Sequence, residues 1–101
     1  MIFRMPDRRK LNEEELSAVL PTLENWTIEN GKLHKQFKFV SFAAAMGWMV
    51  SVAIECDKLD HHPEWTNVYN RVTVDLTTHD MENSISTWDI DIAKKMDQLA
   101  K

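Results

Sequence analysis

In a chain of 101 residues with four histidines, His61 and His62 stand side by side in the stretch Leu59-Asp-His-His-Pro-Glu-Trp65. A third, His79, lies further along. Imidazole exchanges protons near neutrality, so clustered histidines suit general acid–base work, one ring giving a proton while another accepts one. Two other readings stand beside this. Three neutral imidazoles can hold a zinc ion, although side chains of consecutive residues diverge in a helix or a strand, which makes one metal awkward for His61 and His62. A histidine pair at a helix end can also be a plain polar cap.

The neighbours sharpen the choice. Asp57 and Asp60 stand close before the pair, and a carboxylate favours the charged imidazole, as does the C-terminal end of a helix. Pro63 holds His62 out of helical geometry. Trp65 offers a flat apolar wall for a planar ligand. Asp89 reads first as a helix-start residue, His34 as a surface strand residue, and Cys56 as core rather than nucleophile.

Several elements must position these groups. Asn12, followed by Glu13 to Glu15, predicts a helix start. Leu16, Val19, Leu20 and Leu23 give its apolar stripe, and Pro21 ends or kinks it. Asn30-Gly31 between apolar alternations predicts a hairpin, because both turn residues must accept positive φ. Leu33, Phe37 and Phe39 face inward there, with Trp26 and Ile28, and His34, Gln36 and Lys38 face out. A long helix is expected over 41–60, with Phe42, Ala45, Met46, Met49, Ala53 and Cys56 as its stripe. Trp48, Val50, Val52 and Ile54 lie off that stripe yet are also apolar, so the helix needs cover on a second side, expected from another subunit. A second hairpin turns near Tyr69-Asn70, with Val72, Val74 and Leu76 alternating inward. Folding back there brings His61 opposite His79, to within about one residue of register. Ser86 with Asp89 predicts a capping box, Ile85 with Ile90 a hydrophobic staple, and Trp88, Ile92, Met96 and Leu99 the stripe of a last helix. The order α-β-β-α-β-β-α predicts an α+β fold, a four-stranded antiparallel sheet with helices on one face.

Composition bounds the rest. The length suits one domain over 1–101, with 1–9 expected as a flexible tail. Apolar residues make up 44% and charged residues 28%, an ordinary globular balance. A net charge of -4 argues against nucleic acid as a direct partner. The single cysteine excludes an intrachain disulfide and suits a reducing compartment. The first residues show no apolar leader core, and the longest apolar run, Phe42 to Ile54, falls short of the roughly 20 residues a bilayer needs. The cytoplasm is the expected location, with the nucleus as a second.

Asp57, His61, His62, Pro63, Tyr69, His79 and Asp89 together reproduce a signature. The stretch "DKLDHHPEWTNVYNRVTVDLTTHD" resembles the pterin-4a-carbinolamine dehydratase family, and "FKFVSFAAAMGWM" resembles what precedes that family's long helix. The likeness covers nearly the whole chain apart from Met1 to Arg9. It implies dehydration of a 4a-hydroxytetrahydropterin to the quinonoid dihydropterin, in tetrahydrobiopterin recycling after aromatic amino acid hydroxylation, with no cofactor and no metal. It implies His61 and His79 as acid–base groups and His62 as a group that binds and orients the pterin. Pro63, Trp65, Thr77 and Thr78 fall at substrate-binding positions, with Asp57, Asp60 and Asp89 in support. Asp57 stands where relatives often carry Glu, so its reach to a histidine is an open point. The resemblance further implies a homotetramer, a dimer of dimers assembled through the long helix. A second role follows from it, as dimerisation cofactor of a homeodomain transcription factor, with the Trp48 and Val52 face of the helix as the surface to test.

Overall fold

The computed structural model describes residues 9–101. The first helix, α1 (Glu13–Val19), begins at an Asn12 cap whose Oδ1 accepts the Glu15 amide at 2.8 Å, while Glu15 Oε1 accepts the Asn12 amide at 3.1 Å. This reciprocal pair ties down two otherwise orphaned N–H groups. Pro21 falls in a 3-10 turn, Leu20–Thr22, which ends the helix. Met1 to Arg8 of the expected tail, 1–9, lie outside the described residues. Arg9 is held: its carbonyl accepts the Thr87 amide at 2.9 Å and its guanidinium pairs with Glu15 at 2.5 Å.

Strands β1 (Thr27–Glu29) and β2 (Lys32–Lys38) form the first hairpin around Asn30 and Gly31, at φ 53° and 77°. Helix α2 (Phe42–Leu59) follows, then β3 (Glu64–Val68), β4 (Arg71–Leu76) and α3 (Thr87–Leu99). The sheet is antiparallel throughout, in the order β1-β2-β4-β3. Its inner face carries Leu33, Phe37, Val72, Val74 and Leu76, all buried in one core with residues of α2 and α3. The other face carries the polar alternates, among them His34, Asp75 and Glu64.

The second hairpin turns at Tyr69, φ 53°, as expected, but its ladder pairs Glu64 with Asp75 and Val68 with Arg71. This is one residue off the predicted register. Continued past Glu64, it brings Thr78 rather than His79 into line with His61. The faces are as predicted, with Val72, Val74 and Leu76 inside, so the shift lies in the cross-strand pairing alone.

The stripe of α2 also differs from the prediction. Ala45, Trp48, Val52 and Cys56 are buried, whereas Phe42 and Ala53 are exposed. Trp48 and Val52 therefore belong to the core and are not a docking surface. The cause is aromatic: Trp48 packs on Phe37 and Phe39, with ring centroids 4.5 and 5.1 Å away, and its Nε1 donates to the Met96 carbonyl at 3.1 Å. The second apolar face is real but lies elsewhere, at Val50 (62% exposed) and Ile54 (54% exposed). No described helix is long and apolar enough to cross a membrane.

Helix α3 begins with both predicted devices. Ser86 Oγ accepts the Trp88 amide at 3.2 Å, Asp89 Oδ2 accepts the Ser86 amide at 2.9 Å, and Ile85 and Ile90 are both buried. The buried residues of α3 are Asp89, Ile90, Ile92, Ala93 and Met96. Leu99 is exposed and Trp88 only half-buried, so the expected stripe is rotated towards Ala93.

Candidate active site

The end of α2 aims the histidines. Asp60 adopts a left-handed conformation (φ 50°, ψ 45°), the His61 amide donates to the Cys56 carbonyl at 3.1 Å, and the Asp60 amide donates to that of Asp57 at 3.2 Å. This pair of bonds is the Schellman closure, usually built with glycine. It turns the chain sharply, and Pro63 then leads it into the sheet.

His61 is buried, and its Nε2 lies 2.5 Å from Asp89 Oδ1. Asp89 has no exposed surface and accepts two further hydrogen bonds on Oδ2, from the Ser86 amide at 2.9 Å and the Thr78 hydroxyl at 2.8 Å. Thr78 gives its one hydroxyl hydrogen to that carboxylate. The 2.6 Å contact between the Thr78 and Ser86 hydroxyls is therefore donated by Ser86. Every polar atom of this buried group is matched, as a buried carboxylate requires. Thr78 thus sits behind His61 rather than on the cleft.

His62 is exposed, and its Nε2 lies 3.0 Å from Asp57 Oδ1. The short aspartate does reach a histidine. His79 opens a 3-10 turn, His79–Met81, and its Nε2 lies 2.8 Å from Glu64 Oε2. Glu64 Oε1 accepts from Lys32 Nζ at 2.6 Å. Lys32, and after it His79, hold the Glu64 carboxyl below the usual carboxylate range.

These groups surround a cleft of about 320 Å³ lined by Asp60, His61, His62, Pro63, Glu64, Thr77, His79 and Asp80. Thr77 is buried, and its Oγ1 has no hydrogen-bond partner among the described residues. A buried hydroxyl without a partner is uncommon, and on the wall of a cleft it marks a point where a ligand can bond. Trp65 does not line this cleft. It packs on Trp48, ring centroids 6.1 Å apart, and lines an adjoining hollow of about 420 Å³ with Pro63, Glu64 and Asp75. Larger hollows lie beside Lys35 and Asp97 and between α1 and α3, but neither contains a histidine.

The remaining candidates fall outside the cleft. His34 lies on the polar face, with Nδ1 2.8 Å from Asp75 Oδ1. Cys56 is in the core, where burial first, then Asp57 and Glu55, push its thiol up to about 11. Among the described residues no three His, Cys, Asp or Glu side chains are grouped to hold a metal ion.

Sequence reasoning gave no part in the site to Glu64 or Lys32, and to Ser86 only a helix-cap role. Glu64 stood inside the opening motif, but its partners come from β2 and from the turn after β4. No spacing in the sequence announces that meeting.

The chain that carries this cleft is similar to known proteins along nearly its whole described length. The sequence profile of the pterin 4 alpha carbinolamine dehydratase family matches residues 9–99. A relative from Solibacter usitatus, provisionally designated a pterin-4-alpha-carbinolamine dehydratase, is 47% identical over 91 residues, covering 90% of this chain and 95% of its own. One from Brucella ovis with the same provisional designation is 43% identical over 95 residues, covering 92% and 97%. The crystal structure of a transcriptional coactivator/pterin dehydratase from Brucella melitensis superposes with a TM-score of 0.86 at 42% identity, covering 91% of this chain and 99% of that one. With nearly its whole described length matched, fold and sequence together, this chain belongs to the pterin-4a-carbinolamine dehydratase family.

Proposed function

We propose that the protein dehydrates a 4a-hydroxytetrahydropterin to the quinonoid dihydropterin, by proton transfer between histidines in the cleft, and so serves tetrahydrobiopterin recycling after aromatic amino acid hydroxylation. The observation that carries this reading is the convergence of His61, His62 and His79 on one cleft, each with Nε2 on its own carboxylate. A carboxylate only accepts, so the bonded Nε2 carries hydrogen. Nδ1 of each ring is left to exchange a proton with a ligand.

The chemistry needs two such rings. One neutral imidazole takes the proton from N5 of the pterin. A protonated imidazole gives a proton to the 4a hydroxyl. The C4a–O bond breaks, water leaves, and a C4a=N5 double bond forms. One proton is taken and one given, and no electron is transferred overall. His61 and His79 are the acid–base pair in this reading. His62, exposed and bonded to Asp57 of α2, orients the ring system, Pro63 shapes the wall, and Thr77 offers its unpartnered hydroxyl. Asp57, Asp60 and Asp89 support the histidines and the loop that carries them. No metal or cofactor enters the balance.

The test is the dehydration rate of 4a-hydroxytetrahydropterin supplied by a phenylalanine hydroxylase, against the spontaneous rate. Wild-type acceleration should vanish in a His61→Ala/His79→Ala double variant and survive a chelator. A wild-type rate equal to the spontaneous one overturns the reading.

A second reading, as a transcriptional coactivator, is supported by the name of the Brucella melitensis relative and by the exposed apolar face of α2; a homeodomain factor is the partner that the family resemblance implies. The same face suits assembly into a tetramer, a dimer of dimers joined through the long helix. Substitutions at Val50 and Ile54 should impair partner binding and spare the chemistry, whereas His61→Ala should do the reverse.

A further inference from the structure

His79 and His61 are held in unlike ways. His61 bonds a buried carboxylate fixed by the backbone cap of α3. His79 stands on a short 3-10 turn with its side chain 66% exposed. What orients it comes from the sheet. Glu64 opens β3 immediately after Pro63, whose fixed φ limits how the chain can approach. Both oxygens of Glu64 are engaged, Oε1 by Lys32 at 2.6 Å and Oε2 by His79 at 2.8 Å. Lys32 follows the Asn30-Gly31 turn at the start of β2, on the far side of β4. The carboxylate at the start of β3 is therefore gripped from two directions, by Lys32 at the start of β2 and by His79 on the turn after β4.

We propose that Glu64 is a positioning residue for the dehydration, holding His79 as the Nε2–H tautomer with Nδ1 presented to the cleft, and that Lys32 keeps Glu64 in place. The inference rests on the dehydratase reading for its catalytic consequence, but the tautomer can be observed without it. An ionised carboxylate has no hydrogen to give, so the 2.8 Å bond must be donated by His79 Nε2. A neutral imidazole with hydrogen on Nε2 has its lone pair on Nδ1. The lysine matters because it keeps the acceptor charged and stops it rotating away. Removing either partner frees the ring to populate both tautomers and several orientations. A misplaced acid–base group lowers turnover more than substrate binding. Because the Lys32–Glu64 pair is only part-buried and His79 is exposed, the effect is expected at the modest end.

The experiment combines two readouts on folded protein. Nitrogen-resolved NMR of the His79 ring, near pH 8, reports the tautomer in wild type, Glu64→Gln and Lys32→Met. Wild type should show the Nε2–H form, and both variants a mixture. In the dehydration assay, Glu64→Gln should lower kcat roughly tenfold with KM changed less than about twofold. Lys32→Met should give a smaller loss of the same kind. In a His79→Ala background, Glu64→Gln should cause no further loss, because a residue acting through another has nothing left to act on. A wild-type ring with mixed tautomers, or a Glu64→Gln loss that persists in full without His79, overturns the proposal. If wild type fails to accelerate dehydration, the dehydratase reading falls, while the tautomer comparison still decides whether Glu64 holds His79.

Discussion

His61 and Asp89 share a hydrogen bond of 2.5 Å in which the carboxylate has no exposed surface, and the same carboxylate caps α3 through the Ser86 amide. One side chain thus starts a helix and orients an imidazole. The predicted helix-start role of Asp89 and its implied supporting role are a single arrangement. Asp89→Asn keeps the shape but puts a donor where three donors already point. We expect a stability loss of about 3 kcal/mol, since buried polar groups are left mismatched. Urea denaturation should show the midpoint falling without a change in slope, and a loss under about 1 kcal/mol would contradict the satisfied network described above.

His61 and His62 should separate kinetically despite being neighbours. His61→Ala should lower kcat by about 10²-fold or more, the usual contribution of a positioned acid or base. His62 is exposed and holds only the exposed Asp57, so His62→Ala should raise KM with a smaller effect on kcat. Steady-state kinetics over a range of pterin concentrations decide this. Equal kcat losses in the two variants would place both rings in the proton transfers.

Val50 and Ile54 put two large apolar side chains in solvent on the middle turns of α2. Exposed neighbouring apolar groups of this kind suit an interface. Sedimentation of wild type should give a tetramer, and Val50→Glu/Ile54→Glu a smaller species with unchanged helical circular dichroism. A variant that keeps the wild-type mass would remove α2 from the assembly.

Cys56 links stability to alkaline pH. Its thiol moves from 9.0 to about 11 in the fold, chiefly through burial, with Asp57 and Glu55 adding to it. A raised pKa in the folded state leaves stability whole below pH 9 and removes it as pH rises through 11. The gap corresponds to about 3 kcal/mol. Chemical denaturation of wild type and Cys56→Ala at pH 8 and pH 11 should show wild type losing more by roughly that amount. Equal losses would mean that the thiolate is tolerated in the core.

Much of the fold was legible because it rests on local chemistry. Asn30-Gly31 specifies a turn by steric permission, and Ser86 with Asp89 a helix start by hydrogen-bond valence. The alternation of Val72, Val74 and Leu76 specifies a strand by its period. The candidate histidines were legible as a group for the same reason, since three of four fall at the two ends of one hairpin.

What the sequence alone determined, then, was the element order, the residue types at the cleft and the family. Tertiary structure decided which faces those residues meet. A stripe predicts an apolar face but not its phase when nearly every position is apolar, so only packing against Phe37, Phe39 and Met96 turned Trp48 and Val52 inward and left Val50 and Ile54 outside. A hairpin turn predicts pairing only to within a residue, and only the folded chain sets the Thr78 hydroxyl on Asp89 and His79 on Glu64. The Lys32–Glu64–His79 contacts join positions far apart in the chain, and spacing carries no record of a meeting that exists only once the strands have paired.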